Sequence, residues 1–189
     1  MKKYKVEELM VPLSEYATVS SCATLSEAIL ALETAQEEFD QTKYRHRGIL
    51  VLNDENRVIG RISQLCILRA LDPQYKNIRP DTKVAHLGFS ATFLNDLQHQ
   101  FNLLDGAMEH ICQKAANIKV KTFMTSLTEG EYIGKGASMD QAIHLLVMGN
   151  HQSLLVKENE RVVGVLRLTD VFAAVFHVLK ECSISGDTT

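Results

Sequence analysis

Apolar and polar positions along this chain fall into a pattern that occurs twice. The segment Val6-Glu7-Glu8-Leu9-Met10 is echoed 114 positions later by Val120-Lys121-Thr122-Phe123-Met124. At the same offset, Thr24-Leu25-Ser26-Glu27-Ala28-Ile29 is matched by Ser138-Met139-Asp140-Gln141-Ala142-Ile143. Both read as helix openings, with Ser26 and Asp140 where N-caps or first-turn acids belong and apolar residues then recurring at helical spacing. Farther along, the apolar run from Leu50 to Gly60 is repeated from Leu154 to Gly164, now at an offset of 104. The first copy therefore carries ten extra residues between Ala28 and Arg57, and Thr34 to Arg47 reads as an added helical turn followed by a polar loop.

Within each copy the order reads strand, helix, strand, strand, helix, which predicts an α/β (α+β) fold built from two β-α-β-β-α units. The leading strands are Ala17 to Ser20 and Glu131 to Gly134. Each pair of central strands is joined by a polar turn, Asn53 to Asn56 and Lys157 to Glu160, the pattern of a hairpin with a loop of several residues. The second helices are expected from Gln64 to Leu71 and from Thr169 to Lys180. The units span residues 5–72 and 118–180, and 181–189 reads as a flexible tail.

Residues 73–117 separate the copies. After the turn signals Asp72-Pro73 and Pro80-Asp81, the apolar residues Leu94, Leu97, Phe101, Leu104, Met108, Ile111 and Ala115 recur at spacings of three and four. This is a seam along one helix face. It could lie on its own domain or offer a coiled-coil-like surface to a second subunit, and Gly106 could break it into two helices.

Composition narrows the class of protein. With 46% hydrophobic and 23% charged residues in 189, the chain is globular in composition. A formal net charge of -3 argues against nucleic acid as a partner. Met1 to Leu9 alternates charges with single apolar residues, and no run of 18 apolar residues is present, so neither a signal peptide nor a membrane span is expected and the cytoplasm is the expected location. Cys22, Cys66, Cys112 and Cys182 lie far apart with no CxxC pair, and the seven histidines are scattered, so no metal site is expected. The chain has no GxSxG, HExxH, P-loop or Rossmann glycine pattern, and Gly134-Lys135-Gly136 reads as a turn. No enzyme is expected.

The order "hydrophobic-Met", helix opening, two apolar strands, glycine and helix resembles the cystathionine-β-synthase (CBS) domain, and two in tandem resemble a Bateman module. The resemblance covers about residues 5–72 and 118–180. It implies two units packed sheet against sheet about a pseudo-twofold axis, with clefts between them that hold adenine nucleotides in that family.

The family's site motif, Gly-hydrophobic-x-Thr/Ser-x-x-Asp, lies at the end of the last strand and the start of the second helix. There, helix N–H groups and a hydroxyl can bind phosphate while the carboxylate accepts from ribose hydroxyls. The first copy, Gly60-Arg61-Ile62-Ser63-Gln64-Leu65-Cys66, keeps the hydroxyl and replaces the carboxylate with cysteine. The second, Gly164-Val165-Leu166-Arg167-Leu168-Thr169-Asp170, keeps the carboxylate and replaces the hydroxyl with arginine.

By that resemblance the candidate ligand-binding residues are Asp170, Arg167, Thr169 and Ser63, with backbone contacts from Ile133 and Tyr132. Arg45 and Arg47 of the cluster Arg45-His46-Arg47 would add positive charge, and His151 is the second copy's counterpart of Arg47. Asp170 would favour the second copy as the ribose site; Asp170, Thr169 and Ser63 also suit plain helix caps, and the arginines suit solvated surface.

The resemblance implies a regulatory module sensing AMP, ADP or ATP, with no required cofactor. It would pass its occupancy to an unknown protein partner. The apolar residues Val171, Phe172, Val175, Phe176 and Leu179 of the second helix are more than one small unit can cover, so a homodimer is expected. The alternative is a degenerate pair serving as a ligand-free dimerisation or docking scaffold.

Overall fold

The computed structural model describes residues 4–39, 44–71 and 111–185. The apolar runs form two central strands, β3 (Gly48–Leu52) and β7 (Ser153–Glu158). Each pairs in parallel with a short leading strand, β2 (Thr18–Ser20) or β6 (Tyr132–Gly134), and antiparallel with the strand that follows, β4 (Val58–Ser63) or β8 (Arg161–Arg167). Alternation along the central strands sets the layers. Ile49 and Val51 point into the helix-covered core of the first sheet, and Leu154 and Val156 into that of the second. Leu50, Leu155 and Val165 point the other way and meet in a third core between the sheets. Central strands buried on both faces explain why these runs read as continuously apolar rather than alternating.

The helices among the described residues are α1 (Val6–Leu9), α2 (Leu25–Glu38), α3 (Gln64–Leu71), α4 (Ile111–Asn117), α5 (Met139–Met148) and α6 (Leu168–Ser185). The caps sit two residues earlier than the sequence suggested for Ser26. Thr24 and Ser138 are the N-caps, each reciprocated by the residue at the third helical position, Glu27 or Gln141. Ser26 lies inside the first turn, and Asp140 is a first-turn acid.

Helix α2 has 14 residues against ten in α5, so the insertion does add one turn before its loop. The expected longer loop of the second hairpin contracts to Asn159 and Glu160, both at positive φ (47° and 64°). That is the backbone which lets a two-residue turn follow the strand twist, and it takes Lys157 and Glu158 into β7. Helix α6 continues to Ser185, which takes residues 181–185 out of the expected tail.

The two remaining strands, which sequence periodicity did not reveal, cross between copies. β1 (Val11–Pro12) pairs with β8, and β5 (Thr125–Ser126) pairs with β4, giving sheet orders β2-β3-β4-β5 and β6-β7-β8-β1. The exchange is reciprocal in its hydrogen bonds. Val6 N donates to Ala137 O at 3.0 Å, and Val120 N donates to Ala23 O at 2.9 Å. Val6 is fully buried in the second copy's core and Val120 in the first's. The "hydrophobic-Met" echo is thus the anchor by which each copy completes the other.

The glycines of the repeated motif have the same origin. A Cβ on Gly164 would lie 2.6 Å from Val11 O, and one on Gly60 would lie 2.9 Å from Met124 Sδ, so each glycine leaves room for the incoming strand. Of the seam between the copies, Ile111 is half-buried and Ala115 is buried in the first copy's core. Leu94, Leu97, Phe101, Gly106, Leu104 and Met108 lie outside the described residues.

Candidate functional site

β4 and β8 each end where a helix begins, so both strand-to-helix junctions open on the space between the copies. A cleft of about 290 Å³ lies there, with Leu50, Leu155 and Val165 among its apolar lining. The first copy contributes Tyr16, Arg45, Arg47, Arg61 and Ser63; the second contributes Asn150, His151, Gln152, Arg167 and Thr169. Four arginines line it, and no aspartate or glutamate does among the described residues.

Of the residues singled out in the sequence, Arg45, Arg47, Ser63, His151, Arg167 and Thr169 come together in this cleft. Three do not line it. Ile133 is buried in the second helix-covered core. Tyr132 packs against the inter-sheet core, with Lys157 Nζ 3.8 Å from its ring centroid. Asp170 is turned onto Arg167: Nε and Nη2 of the guanidinium donate to its two carboxylate oxygens, each at 2.6 Å.

That pair and its counterpart in the first copy occupy the same place. Ser63 and Cys66 stand one turn apart at the start of α3, as Arg167 and Asp170 do at the start of α6. Ser63 Oγ accepts from Cys66 N at 3.1 Å, capping the helix, and donates to Cys66 Sγ at 3.1 Å. Burial opposes ionisation of this thiol, but the Ser63 and Thr125 hydroxyls outweigh it and hold Cys66 below its ordinary value. Both departures from the family motif are therefore closed on themselves, one by a hydroxyl and thiol and the other by an ion pair.

Arg167 also ties the copies together. Its side chain is only 6% exposed, and Nη1 donates to Tyr44 O at 2.6 Å, in the loop of the first copy's insertion. The same nitrogen lies 3.5 Å from His46 Nδ1. The sequence grouped His46 with Arg45 and Arg47, yet in the extended backbone leading to β3 it points inward while its neighbours point out. It is buried between the rings of Tyr16 and Phe39, at centroid distances of 4.7 and 4.2 Å. Burial, and then the Arg167 charge, hold its imidazole below the usual range.

Charge is distributed unevenly around the cleft. Arg61 pairs at 2.8 Å with Glu131, a buried residue of the second copy that sequence reasoning read only as the start of a strand. Arg45 and Arg47 are exposed and have no carboxylate partner among the described residues. Burial pushes the Tyr16 phenol up to about 12, so it stands in the cleft wall as a neutral hydroxyl. A Cβ on Gly149 would collide with the His151 ring, so the glycine leaves room for this imidazole in the cleft lining. Positive charge, neutral donors and an apolar floor together suit an anionic ligand with an apolar or aromatic part.

The sequence matches the family model of the CBS domain over residues 6–73 and 120–177. No curated protein matches it. Among solved structures, the fold is similar to CBSX2 in complex with AMP, at 19% identity and a TM-score of 0.58 over 93% of this chain and 98% of that one. A second structure of CBSX2, a CBS-pair protein from Arabidopsis thaliana, is 17% identical with a TM-score of 0.58 over 95% and 99% of the two chains. A CBS domain-containing protein from Kribbella flavida is 11% identical, with a TM-score of 0.60 over 92% of this chain and 98% of the other. Among the described residues, no helix is long and apolar enough to cross a membrane.

Proposed function

The chain belongs to the CBS domain family, and on that premise we propose that it is a regulatory module that takes an adenine nucleotide, AMP, ADP or ATP, in the cleft between its two repeats. The observation that carries this reading is the cleft itself: both repeats contribute to its walls, and its lining holds four arginines and no carboxylate among the described residues. The AMP complex of a CBS-pair protein with the same fold supports the choice of ligand. Occupancy would be passed to a protein partner through the contacts that join the repeats at the cleft, chiefly Arg61 with Glu131 and Arg167 with Tyr44.

Homodimerisation belongs to the same proposal. Phe172 and Phe176 lie on one face of α6 and are 66% and 56% exposed among the described residues, whereas Val171, expected on the same interface, is buried in the core of its own repeat. A second copy would bury the two phenylalanines. The self-closed motif pairs, Ser63 with Cys66 and Arg167 with Asp170, favour the second reading, a ligand-free docking scaffold.

Titration calorimetry and thermal melts with AMP, ADP and ATP separate the two. Ligand at 100 times its dissociation constant adds about 2.7 kcal/mol, which in a chain of this size raises the melting temperature by about 5 to 10 °C. No heat and no shift with any of the three at millimolar concentration would leave the scaffold reading in its place.

A further inference from the structure

We propose that this cleft selects its ligand by phosphate charge and not by ribose, so that the number of phosphates sets affinity and the sugar hydroxyls contribute little. The inference rests on the reading of the cleft as a nucleotide site and adds which part of the nucleotide it recognises.

In the family's motif a carboxylate accepts from the two ribose hydroxyls, and neither repeat offers a free one at that position. In the first, the position holds Cys66, whose sulfur already accepts from Ser63. In the second, both oxygens of Asp170 are taken by Arg167 at 2.6 Å, and the carboxylate side chain is only 15% exposed. Each Asp170 oxygen keeps a second lone pair, but the carboxylate does not line the cleft. A diol that drew it away from Arg167 would leave a nearly buried guanidinium with only the Tyr44 carbonyl, and an isolated buried charge is strongly unfavourable.

Phosphate meets the opposite situation. Arg45 and Arg47 are exposed on the cleft wall without a carboxylate partner among the described residues, so an anion neutralises them without breaking an existing pair. Arg61 lines the same cleft, 32% exposed but already paired with Glu131. The neutral hydroxyls of Tyr16 and Thr169 and the His151 ring supply further polar groups in the same wall. At about 290 Å³ the cleft is at the small end of ligand cavities, roughly 300 to 1,000 Å³, so it holds only part of a nucleotide, and the exposed Arg45 and Arg47 are where a phosphate chain would lie.

The test is calorimetry on the full chain with ATP, AMP, adenosine, 2′,3′-dideoxy-ATP and inorganic tripolyphosphate. ATP and dideoxy-ATP are expected to bind within about threefold of each other, ATP at least tenfold more tightly than AMP, and adenosine without detectable heat. Arg45→Gln with Arg47→Gln should weaken ATP binding by about tenfold or more while leaving the melting temperature of the free protein unchanged, because both side chains are exposed. A loss of more than about tenfold for dideoxy-ATP, or adenosine binding as tightly as AMP, overturns the inference and leaves the nucleotide site standing. Tripolyphosphate binding without any nucleotide binding removes the adenine reading and keeps charge selection. Silence from all five removes both.

Discussion

Cutting the Arg167–Asp170 pair from either side should cost far more than cutting it from both. The pair is nearly buried, with side chains 6% and 15% exposed, and its geometry is bidentate at 2.6 Å. Arg167→Met leaves the Asp170 carboxylate without its partner and Tyr44 O without its donor. Removing one member of a buried pair typically costs about 3 to 5 kcal/mol. Residual exposure and the N–H groups of the first turn of α6 ease the isolated carboxylate, which puts this variant near the lower limit, about 3 kcal/mol.

Asp170→Asn leaves a guanidinium with less access to water and no counter-charge, its acceptors reduced to the amide oxygen and Tyr44 O, so it should cost at least as much, about 3 to 5 kcal/mol. In the double variant Arg167→Met/Asp170→Asn no charge is stranded. Its cost should fall to about 1 kcal/mol, so that the coupling between the sites exceeds about 2 kcal/mol. Urea unfolding followed by far-UV circular dichroism at pH 7 measures all four corners of the cycle. Single variants that each cost under about 1 kcal/mol, or costs that add within about 0.5 kcal/mol, would refute the claim that this pair closes the strand-to-helix junction of the second repeat.

Gly164→Ala should destabilise the protein by about 1 to 3 kcal/mol in thermal or urea unfolding, because its Cβ would meet the Val11 backbone oxygen at 2.6 Å. Gly60→Ala should cost less, since its nearest obstacle at 2.9 Å is the flexible Met124 side chain. Burial and the Arg167 charge lower the His46 pKa in the folded state, so below about pH 6.5 the unfolded chain takes up the proton first. Stability is then full above that pH and falls as pH drops, and His46→Phe should flatten the difference in urea midpoint between pH 7.5 and 5.5. Sedimentation at tens of micromolar should show a dimer that Phe172→Glu with Phe176→Glu converts to a folded monomer, because both side chains are exposed in the protomer. A monomeric wild type would remove the dimer.

The two-unit α/β fold was legible because its signal is local and repeated. Leu50-Val51-Leu52 and Leu154-Leu155-Val156 carry the strand character in themselves, and the capping sequences at Thr24 and Ser138 sit next to the helices they start. The crossing of β1 and β5 was not legible. Each strand is two residues long, too short for any period, and its partner lies more than sixty positions away in sequence. The equal offset of Val6 and Val120 did show that the segment mattered, but an offset reports equivalence of position and says nothing of which unit receives the side chain.

The candidate site shows the same division between type and direction. Residue type was enough to bring Arg45, Arg47, Ser63, His151, Arg167 and Thr169 to one cleft, since the ends of β4 and β8 and the approach to β3 converge there. Direction decides chemistry, and direction is set by partners that no spacing reveals. Asp170 is a carboxylate at the expected turn of the expected helix, yet the arginine three residues before it consumes it. Arg61 and Glu131 form an ion pair across the repeats at a separation of seventy positions. The two motif departures, cysteine for carboxylate and arginine for hydroxyl, look independent in sequence. In three dimensions they are equivalent, because in each the departing residue is bonded to the motif side chain that remains. A site whose motif residues satisfy one another keeps its fold when empty, and what it still offers a ligand is the charge left over, which among the described residues is Arg45 and Arg47.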